Sequence, residues 1–201
     1  MNQRLGIFGG TFDPPHLGHQ ILASVSLYQL RLDKVLWVLT PDPPHKRENV
    51  ISPLEDRLDM VSAAISGYPD FELSRIDIDR PPPHFAVDTV HLLLKQYPSA
   101  EIVYLMGGDS LSDLPNWYNS KEFVGSCHTI GVLRRPGYDI DFKILENKIP
   151  GIKKKIEFVR CPMIEVAASD IRQMVKSGRS VQAYLHPEVY RIIHERSLYK
   201  S

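Results

Sequence analysis

The sequence predicts an α/β fold with a mainly parallel sheet, because short apolar runs alternate along the chain with segments of helical periodicity. Three of the clearest runs are 35–39, 102–106 and 129–133. They are largely apolar, with no in-and-out alternation, which is typical of parallel strands that helices cover on both faces. Alternation of strands and helices along a chain is the pattern of α/β proteins.

The individual elements can be placed in chain order. Strands are predicted at 5–8, 35–39, 71–73, 102–106, 129–133 and 156–159. Apolar residues at helical spacing predict helices that begin near Leu17, Leu54, Val87, Ser169 and Pro187. The run Ser52-Pro53-Leu54-Glu55 predicts a capping box with proline at the first helical position. We therefore expect a Rossmann-like, doubly wound sheet with helices on both faces and a small helical C-terminal part.

Length and composition limit the domain count and the partners. The 201 residues predict a single domain, 1–201, whose C-terminal helical segment covers about 165–201. Because 24 basic and 24 acidic residues balance, we expect no nucleic-acid or membrane surface. The two cysteines lack Cys-x-x-Cys spacing, and neither a signal peptide nor a membrane-spanning run is evident. A cytoplasmic protein is expected, and a homo-oligomer is compatible with the sequence.

The strongest chemical signal follows the first predicted strand. Gly9-Gly10 permits a tight turn and close approach of the backbone to a ligand, and a helix then begins near Leu17. Because a helix N-terminus favours phosphate, His16 and His19, three residues apart on its first turn, can bind phosphate oxygens. The competing interpretation is half of a metal site, but the other histidines and cysteines show no ligand-like spacing. We expect no protein metal site.

A second glycine turn follows a later strand. Gly107-Gly108-Asp109 comes after the run 102–106, so it lies at the same sheet edge as Gly9-Gly10. If these two strands are neighbours across a change in winding direction, the crevice between them is the expected nucleotide site. Asp109 could accept hydrogen bonds from ribose hydroxyls, or it could simply cap a turn or helix.

Several motifs carry a resemblance to a known family. The run from Gly9 to Pro14, with His16-Leu17-Gly18-His19, resembles the signature of the nucleotidylyltransferase superfamily. Nearly the whole chain resembles the bacterial nicotinate-mononucleotide adenylyltransferases. The other segments that carry this resemblance are 43–46, 107–111 with Trp117, 135–137, 169–172 and 185–199.

The resemblance implies a reaction and a set of site residues. The 5′-phosphate of nicotinate mononucleotide would attack the α-phosphorus of ATP, whose Mg²⁺ is held mainly by phosphate oxygens and water. The residues implied in catalysis, by positioning and charge, are His16, His19, Lys46 and Arg172. Those implied in ATP binding are Gly9, Gly10, Thr11, Phe12, Gly107, Asp109 and Ser169. Those implied in mononucleotide binding are Asp13, Thr89, Trp117, Tyr118 and Arg135.

The chain departs from the family pattern in three places. His84-Phe85-Ala86 stands where Ser-Tyr-Thr is frequent, Ala167-Ala168-Ser169 stands where Ser-Ser-Thr is usual, and the loop around 41–43 is shorter. The preference for acid over amide in the pyridine substrate therefore stays open. Alternatives are a relative that acts on nicotinamide mononucleotide or another phosphate acceptor such as phosphopantetheine, a non-catalytic nucleotide-binding module, and a metal hydrolase.

Overall fold

The predicted α/β fold is confirmed by a computed structural model, which describes residues 2–42, 51–134, 140–162 and 165–200. Its strands are β1 (Arg4–Gly10), β2 (Lys34–Leu39), β3 (Phe71–Ser74), β4 (Glu101–Gly107), β5 (Thr129–Arg134) and β6 (Ile156–Arg160). They form one sheet in the order β3-β2-β1-β4-β5-β6, and every neighbouring pair is parallel.

Helices connect these strands and follow the sheet. Their bounds are α1 (Leu17–Gln29), α2 (Leu54–Ile65), α3 (Ala86–Gln96), α4 (Gly108–Asp113), α5 (Ser120–Ser126), α6 (Phe142–Lys148), α7 (Ala168–Lys176) and α8 (Pro187–Glu195). The capping box at Ser52 is wrong, because Pro53 is the N-cap of α2 and has no side-chain cap hydrogen bond. Ser52 lies one residue before the cap, and its backbone N–H donates instead to Asp13.

Helices cover both faces of the sheet, as the largely apolar strands predict. On one face, Leu36 and Val38 of β2 pack with Val90 of α3, Phe123 of α5 and Leu145 of α6. On the other face, strand residues pack with apolar residues of α1 and α2; the set includes Val35, Trp37, Leu39, Ala23, Leu58 and Val61. Since β2 sends alternate side chains to opposite faces, both of its sides need apolar residues, and this explains the continuous run.

The C-terminal helices pack on α2 and extend the second face. Ile171 of α7 and Val189 and Ile193 of α8 join Met60 and Ala64 of α2 in a separate apolar cluster. At its rim, the guanidinium of Arg196 donates to Asp56 at 2.7 Å and to Asp59 at 2.6 Å, both on α2. Tyr199, which follows α8, reaches Asp13 in the loop that follows β1.

The winding direction of the sheet changes at β1. This strand pairs with β2 on one side and with β4 on the other, so the first half of the sheet grows away from the second. The connections therefore leave the carboxyl ends of β1 and β4 in opposite directions, and a crevice opens between them. Gly9, Gly10 and Gly107 end these two strands. Among the residues described, no helix is long and apolar enough to cross a membrane.

We predict that Gly131→Ala destabilises the sheet, whereas Gly125→Ala does not. A Cβ at Gly131 of β5 would lie 2.6 Å from Leu30 Cδ1 and 2.8 Å from Leu105 Cδ2 in the packed core. Overpacking of this kind costs about 1–3 kcal/mol of unfolding free energy. A Cβ at Gly125 of α5 meets nothing within 4 Å, and alanine there is neutral or stabilising by up to about 1 kcal/mol. Urea titration measures both, and equal unfolding free energies would contradict the packing argument.

Candidate active site

A cleft of about 910 Å³ opens at the carboxyl edge of the sheet. Among the residues that the resemblance implies, those on its wall are Gly9, Gly10, Thr11, Phe12, Asp13, His19, Trp117, Tyr118, Ser169 and Arg172. The wall also includes Thr40, Ile51, His84, Phe85, Ala86, Tyr104, Ser110, Asn116, Ala167 and Ala168. Lys46 and Arg135 lie outside the described residues. The structure therefore brings together segments from both ends of the chain.

The two histidines that follow β1 lie against each other, His16 at the N-cap of α1 and His19 in the first turn of this helix. Their ring centroids are 3.7 Å apart, and the rings are inclined by 35°. The backbone N–H of the buried His16 donates to Nδ1 of His19 at 3.1 Å. Because a backbone N–H can only donate, this bond makes Nδ1 the acceptor and places the proton of a neutral His19 ring on Nε2. His19 lines the cleft, so it can present an N–H donor to an anion there.

Phe12 supports this histidine from the core side. Its φ is 49°, a conformation uncommon for a bulky side chain, and its ring meets His19 edge-on at 5.2 Å. The ring also packs on Trp37 at 5.1 Å and on Phe8 at 5.6 Å. With 2% of its surface exposed, Phe12 acts mainly as packing beneath the cleft.

Asp13 is a junction between three segments of the chain. Its Oδ1 accepts a hydrogen bond from the Tyr199 hydroxyl at 2.6 Å, and its Oδ2 accepts one from the Ser52 N–H at 3.2 Å. Its backbone carbonyl accepts one from Nη1 of Arg172 at 2.7 Å. Burial, and then the charge of Asp13, raise the pKa of the Tyr199 phenol, so this group remains a donor. The carboxylate implied in mononucleotide binding is thus engaged by partners within the protein.

The first turn of α7 forms one side of the cleft. Ala167, Ala168 and Ser169 lie on the wall, and Arg172 follows one turn later. Because the carbonyl of Asp13 orients the guanidinium of Arg172, this cation stays beside the loop that leads from β1 to α1, the helix that carries His19. The N–H groups at the start of a helix and an arginine together suit phosphate oxygens.

Aromatic rings form the opposite side. Phe85 and Tyr118 stack at 4.3 Å with their planes 21° apart, and Tyr118 is 55% exposed. Trp117 meets Tyr104 edge-on at 6.2 Å. Such a wall can stack on a flat heterocycle. The sequence gives no indication of Tyr104, because a strand run does not show which of its residues lies under a cleft.

Four implied residues lie off the wall. The buried Thr89 donates to Asp77 Oδ1 at 2.7 Å, and Arg80 pairs with the same carboxylate at 2.9 Å. Asp109 is exposed in the first turn of α4, beside Gly107 at the end of β4. His16 is also off the wall, and its ring contacts that of His19.

Among the described residues, no group of three or more His, Cys, Asp or Glu side chains is placed to hold a metal.

Comparison with known proteins assigns the family. The chain matches the cytidylyltransferase-like family over residues 7–183. A probable nicotinate-nucleotide adenylyltransferase of Thermomicrobium roseum is 40% identical over 198 residues, which cover 98% of this chain and 92% of the relative. Another, of Gloeobacter violaceus, is 38% identical over 204 residues, which cover 99% and 97%. The chain belongs to the nicotinate-nucleotide adenylyltransferases of the cytidylyltransferase-like family.

Solved structures show that this adenylyltransferase chain shares its fold with distant proteins. Plasmodium falciparum nicotinic acid mononucleotide adenylyltransferase complexed with NaAD superposes with a TM-score of 0.78 at 17% identity, over 98% of each chain. A putative nicotinate-nucleotide adenylyltransferase from Vibrio parahaemolyticus gives 0.68 at 20% identity, over 99% of this chain and 96% of the other. The architecture is therefore retained where most side chains differ.

We predict that Tyr199→Phe lowers the unfolding free energy of this adenylyltransferase near neutral pH. Loss of a buried hydrogen bond to a carboxylate costs about 1.5–3 kcal/mol of unfolding free energy. The pKa of the phenol is raised above its ordinary value of 10.0 in the folded protein. The proton-linked stabilisation is therefore fully present below that pH and is lost as the pH rises through the folded-state pKa.

Urea titrations near neutral pH and above pH 10 measure this difference. Tyr28→Phe is the matched control, since Tyr28 is 84% exposed and its substitution should change neither value. A Tyr199→Phe protein as stable as the wild type near neutral pH would contradict the assigned contact.

Proposed function

We propose that the chain transfers the adenylyl group of ATP to nicotinate mononucleotide, giving nicotinate adenine dinucleotide and pyrophosphate in NAD biosynthesis. The observation that carries the proposal is the two-sided cleft, with His19 and Arg172 on one side and Trp117 and Tyr118 on the other. Phosphates need the first side and a pyridine ring suits the second. The names of the relatives point to the same pair of substrates.

The reaction requires that the two substrates are held in line and that charge on the phosphate oxygens is stabilised. The mononucleotide phosphate is already ionised at neutral pH, so it can attack the α-phosphorus of ATP directly, and the α–β bridging oxygen leaves with pyrophosphate. Holding the two substrates in line can contribute roughly 7–11 kcal/mol to the lowering of the barrier. Nε2 of His19 and the guanidinium of Arg172 would donate to phosphate oxygens as charge develops on them. No covalent enzyme intermediate is needed.

Other residues keep supporting roles in this proposal. His16 would orient His19, and Lys46 would add a point charge for the triphosphate. Backbone groups of Gly9, Gly10 and Thr11 would contact ATP. Mg²⁺ would enter with ATP as part of the substrate, because its oxygen ligands can come from phosphate and water.

The start of α3 favours the acid form of the pyridine substrate. Ala86, the first residue of this helix of 11 residues, lies on the cleft wall. Its side chain has no hydroxyl, but the first N–H groups of a helix lack partners within the helix and carry partial positive charge. A carboxylate gains from both, whereas a neutral amide gains less. This supports nicotinate over nicotinamide mononucleotide as the acceptor.

The test is pyrophosphate release with MgATP and each of three acceptors: nicotinate mononucleotide, nicotinamide mononucleotide and phosphopantetheine. We expect the highest kcat/KM for the nicotinate form, by roughly tenfold or more over the amide, because each 1.4 kcal/mol of discrimination is tenfold. Preference for the amide or for phosphopantetheine would overturn the acceptor assignment. Absence of release with all three acceptors would overturn the proposed activity.

We also predict that His19→Ala lowers kcat by roughly 10²–10³-fold, the usual cost of removing one donor that stabilises developing charge. The thermal midpoint should fall moderately, because alanine removes the acceptor of the His16 N–H and the ring contact with Phe12, so turnover is compared at a temperature where both proteins are folded. His194→Ala, at an exposed position of α8, is the matched control. A folded His19→Ala protein with near-normal turnover would remove His19 from the catalytic set.

A further inference from the structure

Arg57 of α2 is a buried cation that holds the loops of the cleft from behind. Only 2% of this residue is exposed. Nη1 donates to the carbonyls of Thr11 at 3.1 Å and Thr40 at 2.9 Å, Nη2 donates to Pro41 at 2.8 Å, and Nε donates to Ser52 at 3.0 Å. One side chain thus joins the loop after β1, the loop after β2 and the residues before α2.

This arrangement is costly for the folded state. Burial lowers the pKa of Arg57, and the nearby negative charge of Asp13 opposes that effect only in part. All four hydrogen-bond acceptors are backbone carbonyls, which bring dipoles and no full negative charge. Removing Arg57 alone would leave four carbonyls without this donor, at about 1–3 kcal/mol for each one that water cannot reach, so the side chain stabilises the conformation of all three segments.

The four carbonyls all belong to residues that lie on the cleft wall or next to a residue of that wall. Thr11 and Thr40 lie on the cleft wall, Pro41 follows one of them, and Ser52 follows Ile51, which is also on the wall. In a planar trans peptide, the C=O and the N–H point in opposite directions. The bond from Arg57 to the Thr11 carbonyl therefore turns the N–H of Phe12 away from the guanidinium, and both Thr11 and Phe12 lie on the cleft wall.

We propose that Arg57 is a positioning residue that fixes Thr11 and Phe12, after the end of β1, with the N–H of Phe12 turned towards the ATP phosphates, and adds a permanent positive charge behind them. This role rests on the proposed function. The planar fork is essential to it, since the Nε and two Nη groups reach separate carbonyls in three segments, which the single ammonium of lysine cannot do. Arg57 touches no reacting atom and acts through the loop.

The test compares Arg57→Lys and Arg57→Met with Arg196→Met in the full chain. Arg196 also binds α2, through Asp56 and Asp59, but it is exposed and is not among the residues that line the cleft. Calorimetry with MgATP should show roughly tenfold weaker binding for both Arg57 variants. Pyrophosphate release should show kcat lowered about 100-fold, the usual effect of misplaced binding groups. The KM for nicotinate mononucleotide should change by less than about threefold, since the aromatic side is untouched.

Arg196→Met should match the wild type in ATP affinity and in kcat, even where its thermal midpoint is lower. Arg57→Lys keeps the charge and most of the stem, so it preserves the test where Arg57→Met does not fold. An Arg57→Lys protein that binds MgATP as the wild type does would overturn the proposal, and so would equal losses of ATP and mononucleotide affinity. If the wild type binds MgATP but releases no pyrophosphate with any acceptor, the proposed function fails, while the ATP affinities still decide the role of Arg57.

Discussion

The parallel pairing of β1 with both β2 and β4 is the constraint on which the rest of the structure depends. Because the chain winds in opposite directions from this strand, the connections after β1 and β4 diverge, and the cleft forms between the carboxyl ends of these two strands. The same pairing buries β1 in the middle of the sheet, where apolar clusters on both faces fix it. The loop from Thr11 to His16 therefore leaves a buried strand at a defined point and meets the start of α1.

Loops that line a cleft lack the ladder of hydrogen bonds that fixes a strand, so polar side chains must hold them. Here the carboxylate of Asp13 accepts one hydrogen bond from the hydroxyl of Tyr199, near the end of the chain. It accepts another from the backbone N–H of Ser52, just before α2. Arg172 binds the carbonyl of Asp13 while lining the cleft. The helical C-terminal part thus completes the site, and its packing on α2 brings these groups within reach.

The sequence predicts the fold closely and the site in part, and the differences have physical reasons. Long apolar runs such as 35–39 predict β2 within one residue, whereas α4 and α5 are too short and polar to give a periodic signal. The glycines at the end of β1 and the histidines that follow are close together in the sequence, so their spacing alone indicates a ligand-binding turn. The contacts of Arg57 and Tyr199 are with backbone carbonyls or with a residue 186 positions away, and no local pattern encodes them.

The two sides of the cleft depend on different parts of the chain. The side that contains His19 and Arg172 is built from the loop after β1 and the start of α7. Hydrogen bonds of Asp13, Arg57 and Tyr199 connect it to the rest of the molecule. The aromatic side is built from the start of α3 and from Trp117 and Tyr118, with support from β4 through Tyr104. Because the two sides come from different segments of the chain, changes at 84–86 can occur on the second side without replacing a residue of the first. The departures from the family pattern at these residues are thus compatible with retention of His16, His19 and Arg172.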